Sequence, residues 1–266
     1  MNAYRNSFRA LFLACGLFCA LPLAGLLWHS CPHSPGSDCC AMCRPVAPFS
    51  LNVAQAQDGE PKAQPIKPPL AMEARAALDK LIEGNGRFAA GKPSNKHTSL
   101  EWRVQIAKEQ KPFATILGCA DSRVSPELIF DQGLGDLFIV RVAGNVVDTD
   151  VTGSLEYAGR HLGTRLFVVL GHEQCGAVSA VVAAADANNE PPGLQKLLQR
   201  IRPALKGINP ELPREKRIAA AVEANVRWSM VQLTTIPAHK QALTEGKVSL
   251  VGAVYELETG NVRVLD

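Results

Sequence analysis

Four short apolar runs, at residues 113–117, 137–142, 166–170 and 248–255, constrain this chain more than any other feature. They are separated by stretches of helical character: an amphipathic helix over residues 72–90, a helix opening at Ser125-Pro126 with a Ser cap and Pro at its first position, and helices over 153–162, 176–185 and 214–235. Continuous apolar strands alternating with helices predict an α/β domain from residue 70 to 266, a mainly parallel central sheet flanked by helices on both sides. In such a sheet, ligands belong beyond the carboxyl ends of the strands. The run 248–255 reads as the final strand, before a turn at Thr259-Gly260-Asn261.

Composition narrows the functions open to that domain. The chain has 28 basic and 25 acidic residues, a net charge of +3, of which residues 1–57 carry +2. A body so close to neutral lacks the basic footprint of a nucleic-acid binder. Six of the eight cysteines (Cys15, Cys19, Cys31, Cys39, Cys40 and Cys43) precede residue 44, leaving Cys119 and Cys175 for the body. Two cysteines in so long a domain exclude a disulfide-stapled miniature fold.

The front of the chain reads as a targeting segment. Arg5 and Arg9 precede a nearly uncharged apolar run over residues 10–28, so residues 1–30 are expected to be a signal peptide or an N-terminal membrane anchor. Residues 31–69 read as a Pro- and Cys-rich linker, disordered or removed, whose Cys31, Cys39, Cys40 and Cys43 have no core to fix a metal geometry. The expectation is a periplasmic protein, touching a membrane only through the N-terminal segment if that stays uncleaved.

Two strand ends hold the chemistry. After 113–117 comes Gly118-Cys119-Ala120-Asp121-Ser122-Arg123; extended backbone there puts Cys119, Asp121 and Arg123 on one side. After 166–170 comes Gly171-His172-Glu173-Gln174-Cys175-Gly176, where His-x-x-Cys offers two ligands from one turn. Cys119, His172 and Cys175 together form a Cys₂His set, the pattern of a catalytic zinc with its fourth position open. A Cys119–Cys175 disulfide is the plainer alternative in an exported protein. His97, His161 and His239 have no comparable company and read as surface or packing residues.

With those motifs in view, the chain from about residue 72 onward resembles the β-class carbonic anhydrases, through Cys-x-Asp-x-Arg and His-x-x-Cys-Gly. Supporting segments are Glu83-Gly84-Asn85 with Arg87-Phe88, Asp136-Leu137-Phe138, Arg141-Val142-Ala143-Gly144-Asn145 and Gly252-Ala253-Val254-Tyr255. The resemblance implies one Zn²⁺ per chain on Cys119, His172 and Cys175, and reversible hydration of carbon dioxide to bicarbonate and a proton. Its nucleophile is a zinc-bound hydroxide oriented by the Asp121–Arg123 pair. It also implies substrate-binding roles for Gln110, nine residues before Cys119, and for Phe138 and Tyr157, with the amide of Gly176 assisting. Ala143 stands where those relatives have Val.

The resemblance further implies a homodimer or homotetramer, with the helix over 72–90 lying across a partner subunit. It favours the plant-like, open-site branch, because Ile116 occupies the place of the Trp that shapes a bicarbonate pocket in the closed branch. Arg141 matches that branch's anion-binding Arg, though an arginine there can equally pair with a carboxylate. Two rival readings keep the same residues: a carbon disulfide or carbonyl sulfide hydrolase, and a noncatalytic zinc-binding protein, for which Asp121, Arg123 and Gln110 have no use.

Overall fold

Strands β1 (Ala114–Gly118), β2 (Leu137–Arg141), β3 (Leu166–His172) and β4 (Ser249–Tyr255) run parallel in the order β2-β1-β3-β4, and β5 (Val262–Val264) joins β4 antiparallel at the far edge. This is a computed structural model, and it describes residues 70–183 and 190–266. The expected export segment, the linker and their cysteines lie outside the described residues, as does the end of the helix expected to reach residue 185. Among the described residues, no helix is long and apolar enough to cross a membrane.

Both faces of the sheet are covered, which is why its central strands are largely apolar. Alternate residues along each strand enter two separate cores. Ile116, Val168, Leu170, Val251 and Ala253 pack with Ala74 and Leu81 of α1 (Met72–Ala89) and with Ile129 and Phe130 at the end of α3 (Pro126–Ile129). Leu117, Val169 and Val254 point to the other face. There they meet α4 (Thr149–Arg160), α5 (Gly176–Val182), α6 (Pro192–Ile201) and α7 (Arg214–Thr235). β2 is the half-buried edge. On this face α7 lies very close to the sheet. A Cβ on Gly171 would fall 2.5 Å from Val226 Cγ2, and one on Gly252 would fall 2.7 Å from Met230 Sδ.

Several boundaries differ from the sequence reading, each for a physical reason. The helix expected from residue 153 begins at Thr149, because the Asp148 carboxylate accepts from the Val151 amide at 2.9 Å and caps it. β3 continues two residues beyond Leu170, since Gly171 and His172 still pair with Val254 and Tyr255. The Ser125 hydroxyl caps nothing and lies 3.3 Å from Glu127 Oε2. Helices α2 (Leu100–Ile106), α6 and α8 (Pro237–Thr244) and strand β5 were not anticipated. β4 is therefore not the last strand. α1 buries Ala74 and Leu81 against its own sheet, while Met72 and Ile82 stay exposed.

The segment leading from α1 into α2 is moored at Asp131, a buried residue with a left-handed φ of 46°. Its carboxylate accepts from Arg87 Nε, from the Ser94 amide at 2.8 Å and from the Ser94 hydroxyl at 2.6 Å. Burial pushes this carboxyl up, yet the Ser94 hydroxyl, Arg87 and the amides of Ser94 and Asn95 outweigh it and hold it at about 2. Because the folded value is depressed, the contribution is complete above about pH 4 and is lost as pH falls through about 2. Asp131→Asn is expected to lower the unfolding free energy by about 1–3 kcal/mol at neutral pH. In urea titrations the deficit should shrink between pH 4 and pH 2; a deficit constant down to pH 2 would contradict this account.

Candidate metal centre

Parallel pairing of β1 and β3 sets their carboxyl ends side by side, at the point where the strand order reverses from β1–β2 to β1–β3. Cys119 immediately follows β1 and His172 is the last residue of β3. Gln174, at a left-handed φ of 55°, turns the chain back so that Cys175 stands at the head of α5. The three potential ligand atoms lie within 4.8 Å of one another, on residues that are 4%, 0% and 2% exposed. Both cysteines are free, so the disulfide alternative is not what the chain adopts.

The imidazole is fixed by its neighbour. His172 Nδ1 is 2.8 Å from the Glu173 carbonyl, which can only accept, so Nδ1 carries a hydrogen and the neutral tautomer has its lone pair on Nε2. Nε2 is buried without a hydrogen-bond partner. Hydrogen bonding from Cys175 above all, with His172 and the Gly144 amide 3.2 Å from Sγ, pulls the Cys119 thiol below its ordinary range against the effect of burial. Cys175 moves above the ordinary thiol range, because of the Cys119 thiolate beside it and its own burial. A divalent cation bound here would displace thiol protons. Two sulfurs and an aimed imidazole nitrogen form a donor set that fits zinc.

Asp121 and Arg123 meet as expected, but not through an extended strand. β1 ends at Gly118, and residues 121–123 form a turn in which the Arg123 amide donates to Asp121 Oδ1 at 3.0 Å. The guanidinium then grips both carboxylate oxygens, Nε to Oδ1 at 2.9 Å and Nη2 to Oδ2 at 2.8 Å. That grip holds the Asp121 carboxyl far below the usual carboxylate range, over the opposing effect of burial. Asp121 Oδ2 lies 3.8 Å from His172 Nε2, at the edge of the cluster. Among the described residues Arg141 pairs with no carboxylate. It donates to the carbonyls of Cys119 at 2.9 Å and Asp121 at 2.6 Å, and so pins the turn from β2.

The four expected substrate residues are placed differently. Gly176 opens α5 next to Cys175, exposed, and its amide has no acceptor among the described residues. Gln110 is exposed between α2 and β1 and makes no hydrogen bond to the cluster. The Phe138 and Tyr157 rings pair at 6.1 Å, with Tyr157 46% exposed. Phe138 lies level with Thr115, four residues before Cys119 and so about 13 Å back along the strand direction. Sequence reasoning also passed over Asn225 and Ser229, two polar residues one helical turn apart in a buried face of α7, which bind the turn supporting Cys119. Their spacing within an apolar helix face was the available signal.

Comparison with known proteins agrees with this geometry. The family described as carbonic anhydrase matches residues 114–262. Carbonic anhydrase 2 of Mycobacterium tuberculosis is 41% identical over 196 residues, covering 72% of this chain and 92% of that protein. Among solved structures, the β-carbonic anhydrase CcaA superposes with a TM-score of 0.60 at 30% identity, covering 72% of this chain and 88% of the other. The Coccomyxa β-carbonic anhydrase in complex with acetazolamide gives 0.57 at 29% identity, covering 71% and 86%.

Proposed function

Because the chain belongs to the β-carbonic anhydrase family and is an enzyme of carbon dioxide hydration, we propose that it works through one zinc ion held by Cys119, His172 and Cys175. The observation that carries this reading is the buried, unpartnered Nε2 of His172 facing two buried thiols within 4.8 Å. When bound, such a metal lowers the pKa of water toward about 7 and so supplies hydroxide at neutral pH.

The chain's own residues then orient and stabilise. Asp121, kept ionised by Arg123, accepts a hydrogen bond from the attacking oxygen and turns its lone pair toward the carbon of carbon dioxide. Arg123 occupies both carboxylate oxygens and so keeps Asp121 off the metal. The free amide of Gly176 meets negative charge growing on a substrate oxygen, and Gln110 does the same when brought to a pocket. The products are bicarbonate and a proton. A site of the open form is supported by Ile116, fully buried in the core, and by Arg141, whose hydrogen bonds among the described residues go to carbonyls.

Gln110 and Tyr157 are exposed, and Phe138 is well back along β2 from its own Cys119. They line a substrate pocket only if one copy of the chain offers them to another, which supports a homodimer or homotetramer. The basic start and apolar run of residues 1–30 support export to the periplasm, with the segment cleaved or kept as a tether.

Purified enzyme should contain one zinc per chain, and Cys175→Ala should lose it. Asp121→Asn should retain zinc and lower kcat/KM about 10- to 100-fold; undiminished zinc in Cys175→Ala would sink the ligand assignment. Titrating bicarbonate at fixed pH should give no cooperative loss of activity, whereas a steep cooperative loss would mark a closed-branch site. Material from the periplasmic fraction should start near residue 57 or remain membrane-tethered, and should sediment as a dimer or tetramer. A soluble full-length cytoplasmic chain would refute export, and an active monomer would refute the shared pocket.

A further inference from the structure

Two polar side chains are buried where α7 is otherwise apolar. Asn225 and Ser229 are each 1% exposed, amid Ala221, Val222, Val226 and Leu233. Four residues apart, they share one helix face. Both reach the turn formed by residues 143–145. Asn225 Nδ2 donates to the Gly144 carbonyl at 2.8 Å, and the Ser229 hydroxyl donates to the Asn145 carbonyl at 3.0 Å. Asn145 Nδ2 returns to Ser229 Oγ at 3.4 Å. The next contact is the metal centre itself, where the Gly144 amide donates to Cys119 Sγ at 3.2 Å.

That turn needs to be held. Gly144 and Asn145 are both left-handed, at φ 67° and 44°, a conformation that costs energy for Asn. A Cβ on Gly144 would also fall 2.7 Å from Ile201 Cδ1 and 3.3 Å from Ala177 Cβ, so the Ile201 side chain would have to shift. Asn225 moreover leaves its Oδ1 buried without a partner, a penalty that an apolar residue of the same shape would avoid. What Asn225 offers in exchange is the Nδ2 bond to Gly144.

We infer that Asn225 and Ser229 are positioning residues for the metal centre, fixing the peptide whose N–H restrains and electronically tunes the Cys119 thiolate. The inference rests on the zinc reading above. An amide hydrogen bond draws electron density from a thiolate, weakening its donation to the metal, and it places the sulfur before the metal arrives.

The test is cobalt(II) substitution into the full chain, comparing wild type with Asn225→Leu, Ser229→Ala and a control in the same helix, Leu233→Ala. Wild type should show thiolate-to-cobalt charge-transfer absorption. Asn225→Leu should move that band to longer wavelength and, because the lost placement of the sulfur outweighs its stronger donation, weaken zinc binding about 10-fold or more in chelator competition. Ser229→Ala should shift the band less, in the same direction, and alone carries the test if Asn225→Leu does not fold. Leu233→Ala should lose thermal stability with the band in place. An unmoved band and affinity in the folded α7 polar variants, or an equal shift in Leu233→Ala, would overturn the inference. A wild type lacking thiolate absorption would overturn the zinc reading itself, so the two failures are distinguishable.

Discussion

The hydrogen-bonded pairing of β1 with β3 is the constraint on which the rest of this molecule depends. It aligns Gly118 with Leu170, so the two chains leave the sheet side by side and in the same direction. One delivers Cys119 within a residue, while the other delivers His172 and then, through a single left-handed turn, Cys175. Because parallel strands need long crossovers, these ligands are far apart in sequence although the sheet makes them neighbours. The sheet in turn depends on being covered on both faces. Each face has its own helices and its own apolar core, and no central strand is left half solvated.

Around the cluster, the polar groups form an orderly set of restraints in a setting that penalises loose ones. The Glu173 carbonyl fixes the ring of His172 and the Gly144 amide fixes Cys119. Arg123 and Arg141 hold the two ends of the turn that carries Asp121, one through its carboxylate and the other through its carbonyl. The two arginines differ in consequence. Arg123 sets a charge, while Arg141 holds two backbone carbonyls and sets a shape.

The Cys119–His172–Cys175 cluster was legible in the sequence because strand ends can be read from apolar runs, and because cysteine and histidine are informative where they are few. The Asp121–Arg123 pair was also legible, though the expected route was wrong: the residues meet across a turn rather than along a pleat. β5 has three residues, too few to display a period, whereas α6 does carry Leu194, Leu197, Leu198 and Ile201 at helical spacing and was passed over because adjacent prolines open it and basic residues surround it. The early start of α4 depended on a cap at Asp148, outside the expected apolar segment. Asn225 and Ser229 escaped notice for the opposite reason. A long, obvious helix draws attention to its apolar stripe, and polar residues on that stripe read as noise until the turn they grip is in view.

The glycines under α7 give that helix a fixed depth. Gly171 and Gly252 lie on neighbouring strands, and Val226 comes within 3.0 Å of where the Cβ of either would lie. Val226 directly follows Asn225, so the seat that determines how low the helix rides also determines how far its carboxamide reaches. The thickness of the layer between helix and sheet is therefore a length standard for the catalytic end of the molecule. It is written in two missing methyl groups rather than in any residue that touches the reaction. A methyl restored at either place would act as a shim, lifting the helix and changing the gauge of a site it never meets.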